Sequence, residues 1–330
     1  MWLGLHGRVV SGACRACLPP RADRCAGKPR LVASRRAEDV PVSQIGAGSD
    51  RATANNAVAH GPAVRGWCPD AWRPMAAGDG LIVRVKPRLG RLSADDLAAL
   101  GEAAIAHGNG LIDMTRRANL QIRGVRDESW RPLLDRLLDL GLVDRDARRE
   151  GARMMMVAPD WREGDDSHRI ASQLLDRLDE IPQLPGKMGF VIDAGAAPLL
   201  SGEAGDFRIE RARDGGLILR AEGRGQGVPV DSGGEVDALL ALARWFVESD
   251  GARAGRMARH DAPLPDWATG RAEAASPRPR LTPGAWDGGI AYGLPFGRID
   301  ARHLLDAPAM RLTPWRMLLA EGQLPGLCAD

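Results

Sequence analysis

In the stretch DMTRRANLQIRGV, Asp113 to Val125, polar groups fall at every second position: Arg117, Asn119, Gln121 and Arg123. Successive side chains of a β-strand point to opposite faces. This spacing therefore predicts a face with two guanidiniums and two amides, with Leu120 and Ile122 on the other face. Such a row of donors suits a ligand bearing several carboxylates, because arginine's planar fork pairs with a carboxylate through two parallel hydrogen bonds. A solvated edge-strand face is the competing reading.

Two more cations stand at strand starts. Arg153 opens ARMMMVAP, a short apolar run with the character of a buried strand, where an arginine can snorkel or pair with a nearby acid such as Asp146. Lys187 lies in LPGKMGFVID, and strand parity places Lys187, Gly189 and Val191 on one face, with glycine leaving room for a large ligand to approach the backbone. An ordinary strand-end lysine is the alternative. Lysine occurs only at positions 28, 86 and 187, so an internal lysine stands out in a chain whose other basic residues are all arginine.

The elements that must position these groups lie between Gly80 and the C-terminus. LIVRVKP reads as a strand, and SADDLAALGEAAIAHG as a helix capped by Ser93 and Asp96 and ended by Gly108. LIDMT and ANLQIRGV read as two strands, followed by a helix over ESWRPLLDRLLDLG; this succession predicts an α+β, ferredoxin-like half-domain over 67–145. RMMMVAP, KMGFVID, FRIERA and GLILRAEG, with helices near RIASQLLDRLDEI and EVDALLALARWFVES, predict a mixed α/β domain over 146–252. The Ala-, Arg-, Pro- and Gly-rich segment 253–285 reads as a linker. Beyond it the first unit returns: GRLSADDLAAL is echoed by GRIDARHLLDA and IDMT by MRLT, so 286–330 reads as a second half-domain cut short at Asp330.

With 45 basic and 43 acidic residues there is no global field to attract nucleic acid or a membrane surface, and no apolar run long enough to span a bilayer. Residues 1–66 read as an irregular extension whose basic, acid-poor start has transit-peptide character. Cys14, Cys17 and Cys25 form C-x2-C-x7-C without a fourth nearby ligand, so the five cysteines read as free thiols of a cytoplasmic protein.

TRRANLQIRGV, ARMMMVAP and LPGKMGFVID, in this order and spacing, resemble the nitrite and sulfite reductase superfamily. RGWCPDAWRPMAAGDGLIVRV and MRLTPWRMLLA bring the chain closest to its precorrin-3B synthase family, over roughly residues 65–328. The resemblance implies a pseudo-twofold architecture of ferredoxin-like half-domains and mixed-sheet domains around a tetrapyrrole cleft. It places Arg117, Arg153 and Lys187 opposite the macrocycle as catalytic cations, with Asn119, Gln121 and Arg123 on the strand contacting its carboxylates. The reductases carry a second lysine where this chain has Gly189, a change that points away from six-electron reduction.

The implied reaction is oxygen-dependent hydroxylation of precorrin-3A with closure of a γ-lactone. It needs an electron donor, a [4Fe-4S] cluster, and a non-heme iron or siroheme-like tetrapyrrole. The two cysteine pairs that hold the cluster in the family, C-x5-C and C-x3-C, are not in the sequence. Two alternatives stay open: a siroheme-dependent sulfite or nitrite reductase, and an inactive tetrapyrrole-binding fragment.

Overall fold

The structure, a computed structural model, describes residues 68–321. The expectations for 1–66, and for Cys14, Cys17, Cys25 and Cys328, lie outside that range.

The first half begins with the hairpin of β1 (Met75–Ala77) and β2 (Gly80–Val85). A tight turn at Arg88–Gly90 leads to β3 (Arg91–Leu92), α1 (Ala94–His107), β4 (Leu111–Met114), β5 (Leu120–Val125) and α2 (Asp127–Asp139). The α1 cap is the one read from sequence: the Asp96 N–H donates to the Ser93 hydroxyl at 3.1 Å, the Ser93 N–H donates to the Asp96 carboxylate at 3.0 Å, and Gly108 closes the helix. Helix α2 turns Leu133, Leu134 and Leu137 into the core, each burial contributing about 1.5–3 kcal/mol.

The mixed unit follows, with α3 (Ala147–Ala152), β6 (Met155–Val157), α4 (Asp166–Asp176), β7 (Phe190–Asp193), β8 (Phe207–Arg211), β9 (Leu217–Ala221), β10 (Val228–Val230) and α5 (Glu235–Glu248). Its sheet runs β10-β9-β8-β7-β6; β6, β7 and β8 are parallel and the remaining pairs antiparallel, the mixed sheet that the sequence predicts. Strand β7, between two parallel neighbours, is buried along its whole length, which explains its unbroken apolar text up to Asp193.

The segment read as a linker is ordered and strapped to this unit. Ala272 and Ala274 make β-bridges to Gly227 and Ala212, Arg256 holds Asp206 at 2.8 Å, and Arg278 pairs with Asp160. Low apolar content hid this packing, because backbone and arginine contacts rather than a core hold the segment in place.

The return of the first unit is present as topology. Strands β11 (Gly284–Trp286), β12 (Gly289–Gly293), β13 (Arg298–Asp300), β14 (Met310–Leu312) and β15 (Met317–Ala320) repeat the order of β1 to β5, with a short helical turn at Ala301–Leu304 where the first half has α1. Two five-stranded sheets result, β1-β2-β5-β4-β13 and β11-β12-β15-β14-β3. Each half lends its short third strand to the other: β13 pairs with β4 through Ile299 and Ile112, and β3 pairs with β14 through Leu92 and Met310. One core, including Val83, Leu120, Ile122, Tyr292, Leu312 and Leu318, is shared by both sheets. The architecture is α+β and pseudo-twofold, as expected, with one mixed unit among the described residues.

Candidate functional site

The β4–β5 connection decides where the predicted polar face begins. Thr115 accepts hydrogen bonds from the N–H groups of Arg117 and Asn119, both at 3.2 Å, while Ala118 takes a left-handed φ of 51°. This turn lifts Arg117 out of the strand, correcting the parity reading: β5 starts at Leu120, and Arg117 is half-buried in the loop with its guanidinium donating to the Lys187 carbonyl. Asn119 is buried at the strand entrance. Gln121 lies on β5 between Arg84 of β2 and Asp113 of β4.

Arg123 is already committed. It donates to Asp79 at 2.7 Å and to Asp113 at 3.1 Å, and the hydrogen bond it gives to Asp79 lifts its pKa further. Arg153 is buried and pairs with Glu150 at 2.9 Å, not Asp146, while donating to the Leu142 carbonyl at 2.8 Å. Lys187 falls in a turn before β7 and is exposed; its carbonyl, rather than its ammonium, meets Arg117. At Gly189 a side chain would begin 2.8 Å from the Met154 carbonyl oxygen, so close backbone packing requires glycine at this position. Asp206 accepts the Gly189 N–H at 3.1 Å and fixes that close approach.

Two buried cations that the sequence reading did not single out as ligand contacts stand on β2, beside these groups. Arg84 and Lys86 are two residues apart and both buried, at 8% and 3% exposure. The Nε of Arg84 has no hydrogen-bond partner among the described residues, a costly arrangement for a buried guanidinium. Lys86 donates to the Glu150 carbonyl at 2.5 Å and lies 3.6 Å from its carboxylate, so one buried acid serves two cations. Burial pushes the pKa of Lys86, Arg153 and Arg117 down and that of Glu150 up, while the pairing of Lys86 and Arg153 with Glu150 opposes the shifts of those three groups. The signal was in LIVRVKP, where Arg84 and Lys86 occupy alternate positions of an otherwise apolar strand.

Two adjoining cavities lie at the seam between the first sheet and the mixed sheet, sharing Met154 and Phe190 as a wall. The larger, of about 480 Å³, is lined by Cys68, Asp70, Lys86, Met154, Met188 and Phe190 among others. The smaller is lined by Arg117, Asn119, Met154 to Met156, Gly189 and Phe190. Arg117 and Asn119 are thus brought to the seam together and Lys86 lines the larger cavity, whereas Arg84, Gln121, Arg123, Arg153 and Lys187 line neither. Apolar walls with a few buried cationic groups can take a large, flat, carboxylated ligand.

Among the described residues no cluster of three or more His, Cys, Asp or Glu side chains could hold a metal ion, and Cys68 is the one thiol. They do not supply the four thiolates of a [4Fe-4S] cluster. No described helix is long and apolar enough to cross a membrane.

Residues 73–140 match the nitrite/sulfite reductase ferredoxin-like half domain. The chain is 29% identical over 298 residues to a precorrin-3B synthase from a Sinorhizobium species, a match covering 80% of this chain and 63% of that protein. It is 27% identical over 164 residues to the ferredoxin–nitrite reductase of Synechococcus elongatus, covering 46% and 32%. The solved structure of the NirA protein of Mycobacterium tuberculosis is similar in fold, with a TM-score of 0.51 at 17% identity, over 74% of this chain and 54% of that one. The chain thus spans less than two thirds of the length of each of these relatives.

Proposed function

We propose that this chain, which resembles precorrin-3B synthase and the nitrite and sulfite reductases, binds a carboxylate-bearing tetrapyrrole at the seam beside β5. On this reading its substrate is precorrin-3A, and the reaction is hydroxylation by dioxygen followed by closure of a ring acetate to a γ-lactone. The observation that carries the binding step is Arg84: a buried guanidinium with an unpartnered Nε, set across from Gln121 of β5. A carboxylate arriving there removes the cost of that unmade hydrogen bond.

Arg84 and Arg117 hold carboxylates, with the amides of Asn119 and Gln121 completing the donor row. Lys86 adds positive charge to the wall of the larger cavity, held in place by Glu150, and Arg153 fixes Glu150 from the other side. Met154, Met188 and Phe190 cover the macrocycle face and keep water from it. Lys187 extends an exposed ammonium at the rim. Two electrons from an electron donor, with dioxygen and two protons, would balance formation of water and the hydroxylated product; the described residues supply no ligand set for an iron centre that would activate the dioxygen.

The test is a fluorescence titration of the purified chain with uroporphyrin, a porphyrin carrying eight carboxylates, in parallel with its fully esterified form. The Arg84→Ala/Arg117→Ala double variant should bind the free acid about 10–100-fold more weakly, at roughly 1.4 kcal/mol per tenfold, with little change for the ester. Equal affinities in a folded variant would overturn the reading. Siroheme-dependent reduction of sulfite or nitrite is the second reading, favoured by the nitrite reductase match; the backbone contact at Gly189, which excludes a second lysine, weighs against it.

A further inference from the structure

The hydroxyl-anchored turn that carries Arg117 occurs twice. In the second repeat Thr313 accepts the N–H groups of Trp315 and Met317 at 3.3 and 3.1 Å, as Thr115 accepts those of Arg117 and Asn119. Arg316 takes a φ of 61° where Ala118 has 51°. A residue with a side chain in the left-handed region carries a steric cost, so its recurrence at matching positions marks a turn held by its surroundings. Trp315 is therefore the pseudo-twofold mate of Arg117, and Met317 that of Asn119. Arg117 and Asn119 line the smaller cavity, whereas Trp315 and Met317 do not.

Trp315 nonetheless supports that cavity's wall. Its ring packs on the cluster of Met156, Ala158, Val191 and Leu200, and Met156 also lines the cavity. Its indole N–H donates at 2.9 Å to Glu203, a buried acid whose neighbour in the chain, Ala204, is another lining residue. Glu203 belongs to the loop joining β7 to β8, and that loop is pinned at several points. The fully buried Arg208 donates to the carbonyls of Leu200 and Glu203 at 2.7 and 2.9 Å, Asp206 accepts the Gly189 N–H, and a side chain at Gly205 would overlap Val191. The Glu203 carboxylate is shared between Trp315 and Arg280, the latter at 2.7 Å.

The smaller cavity has a volume of about 20 Å³, room for one small group. In a close-packed wall around so small a space, a displacement of a fraction of an ångström decides which substituent fits. We infer that Trp315 is a positioning residue for the seam: through Met156 and Glu203 it fixes the mixed-unit wall of the cavity that Arg117 lines, and so determines which ring substituent enters. A compact carboxylate fits beside Arg117, and its bulkier ester does not. The second repeat thus acts on a ligand that it does not touch. The inference rests on the reading of the seam as a carboxylate-binding site.

The experiment is the uroporphyrin titration, free acid against the fully esterified form, on the full chain and its variants. Removing the Trp315 ring lets Met156 relax into the space left behind. The free acid, which needs the wall and Arg117 held close, then binds more weakly, while the ester, no longer excluded, binds more tightly. Trp315→Ala should lower the ratio of the two affinities by about tenfold, and Trp315→Phe, which keeps a ring but not the N–H, by about threefold. Glu203→Leu should reproduce the Trp315→Phe loss, and Glu203→Gln, whose amide oxygen accepts the indole N–H, should recover most of the ratio. With Arg117→Ala already in place, Trp315→Phe should change the ratio by less than about half as much, since both residues act on one cavity. Equal weakening of both ligands, or an unchanged ratio in folded Trp315→Phe, would overturn the inference and leave the seam reading in place. A parent chain with no preference for the free acid would overturn both.

Discussion

Arg123 donates to Asp79 and Asp113, two acids of its own sheet, so its positive charge is offset before any ligand arrives. Arg84 has no such partner at its Nε. These two arginines should therefore respond oppositely to substitution. Arg123→Ala should leave uroporphyrin affinity within about threefold and cost roughly 1 kcal/mol of stability, since a partly exposed pair is screened by solvent; calorimetry and the porphyrin titration together check it. A tenfold loss of affinity with unchanged stability would return Arg123 to the ligand face. Alternation in the sequence identifies which side of a strand a residue occupies, but not which acids fold over to meet it. Asp79 is 44 residues away along the chain, which no local pattern reports.

Strand β7 ends in a carboxylate that the fold keeps from water. Asp193 accepts the Leu199 and Leu200 N–H groups at 2.8 and 2.6 Å through one oxygen, while the other oxygen is buried without a partner among the described residues. Burial pushes its pKa up to about 6, against the two hydrogen bonds that hold it down. The folded pKa lies above the unfolded one, so between roughly pH 4 and pH 6 the native state keeps a proton that the unfolded chain has released. This group's contribution is therefore fully present below about pH 4 and is lost as pH rises through 6. Asp193→Asn retains the acceptor, so the variant should gain stability relative to the parent by on the order of 2 kcal/mol between pH 4 and pH 7, read by urea unfolding at each pH. A pH-independent difference would mean that Asp193 ionises normally. The buried run FVID was legible as a strand because it is apolar and β-rich. The starts of β5 and β7 were not, since the hydroxyl-anchored turn at Thr115 and the turn at Gly186–Lys187 override the alternation that runs through them.

The whole molecule depends on the exchange of β3 and β13, two strands of two and three residues. The echo of GRLSADDLAAL in GRIDARHLLDA made the duplication legible, yet strands so short carry no periodicity, and the sequence cannot say which sheet receives them. The exchange has a mechanical consequence: neither sheet can open without losing a strand that continues into the other. Both sheets also draw on one shared core. Ile299 sits in β13, belongs by sequence to the second repeat, is 3% exposed, and pairs with Ile112 of the first. Ile299→Ala should cost about 2–4 kcal/mol, the range for emptying a buried isoleucine site. If the two sheets form one cooperative unit, native-state hydrogen exchange should show the slowest amides of β4 and β5 and those of β14 and β15 losing protection by the same amount, within roughly 0.5 kcal/mol. Loss confined to the first sheet would mean that the sheets open independently. In that case the exchanged strands would tie the halves only in sequence, and the geometry of the seam beside β5 would rest on the first sheet and the mixed unit alone.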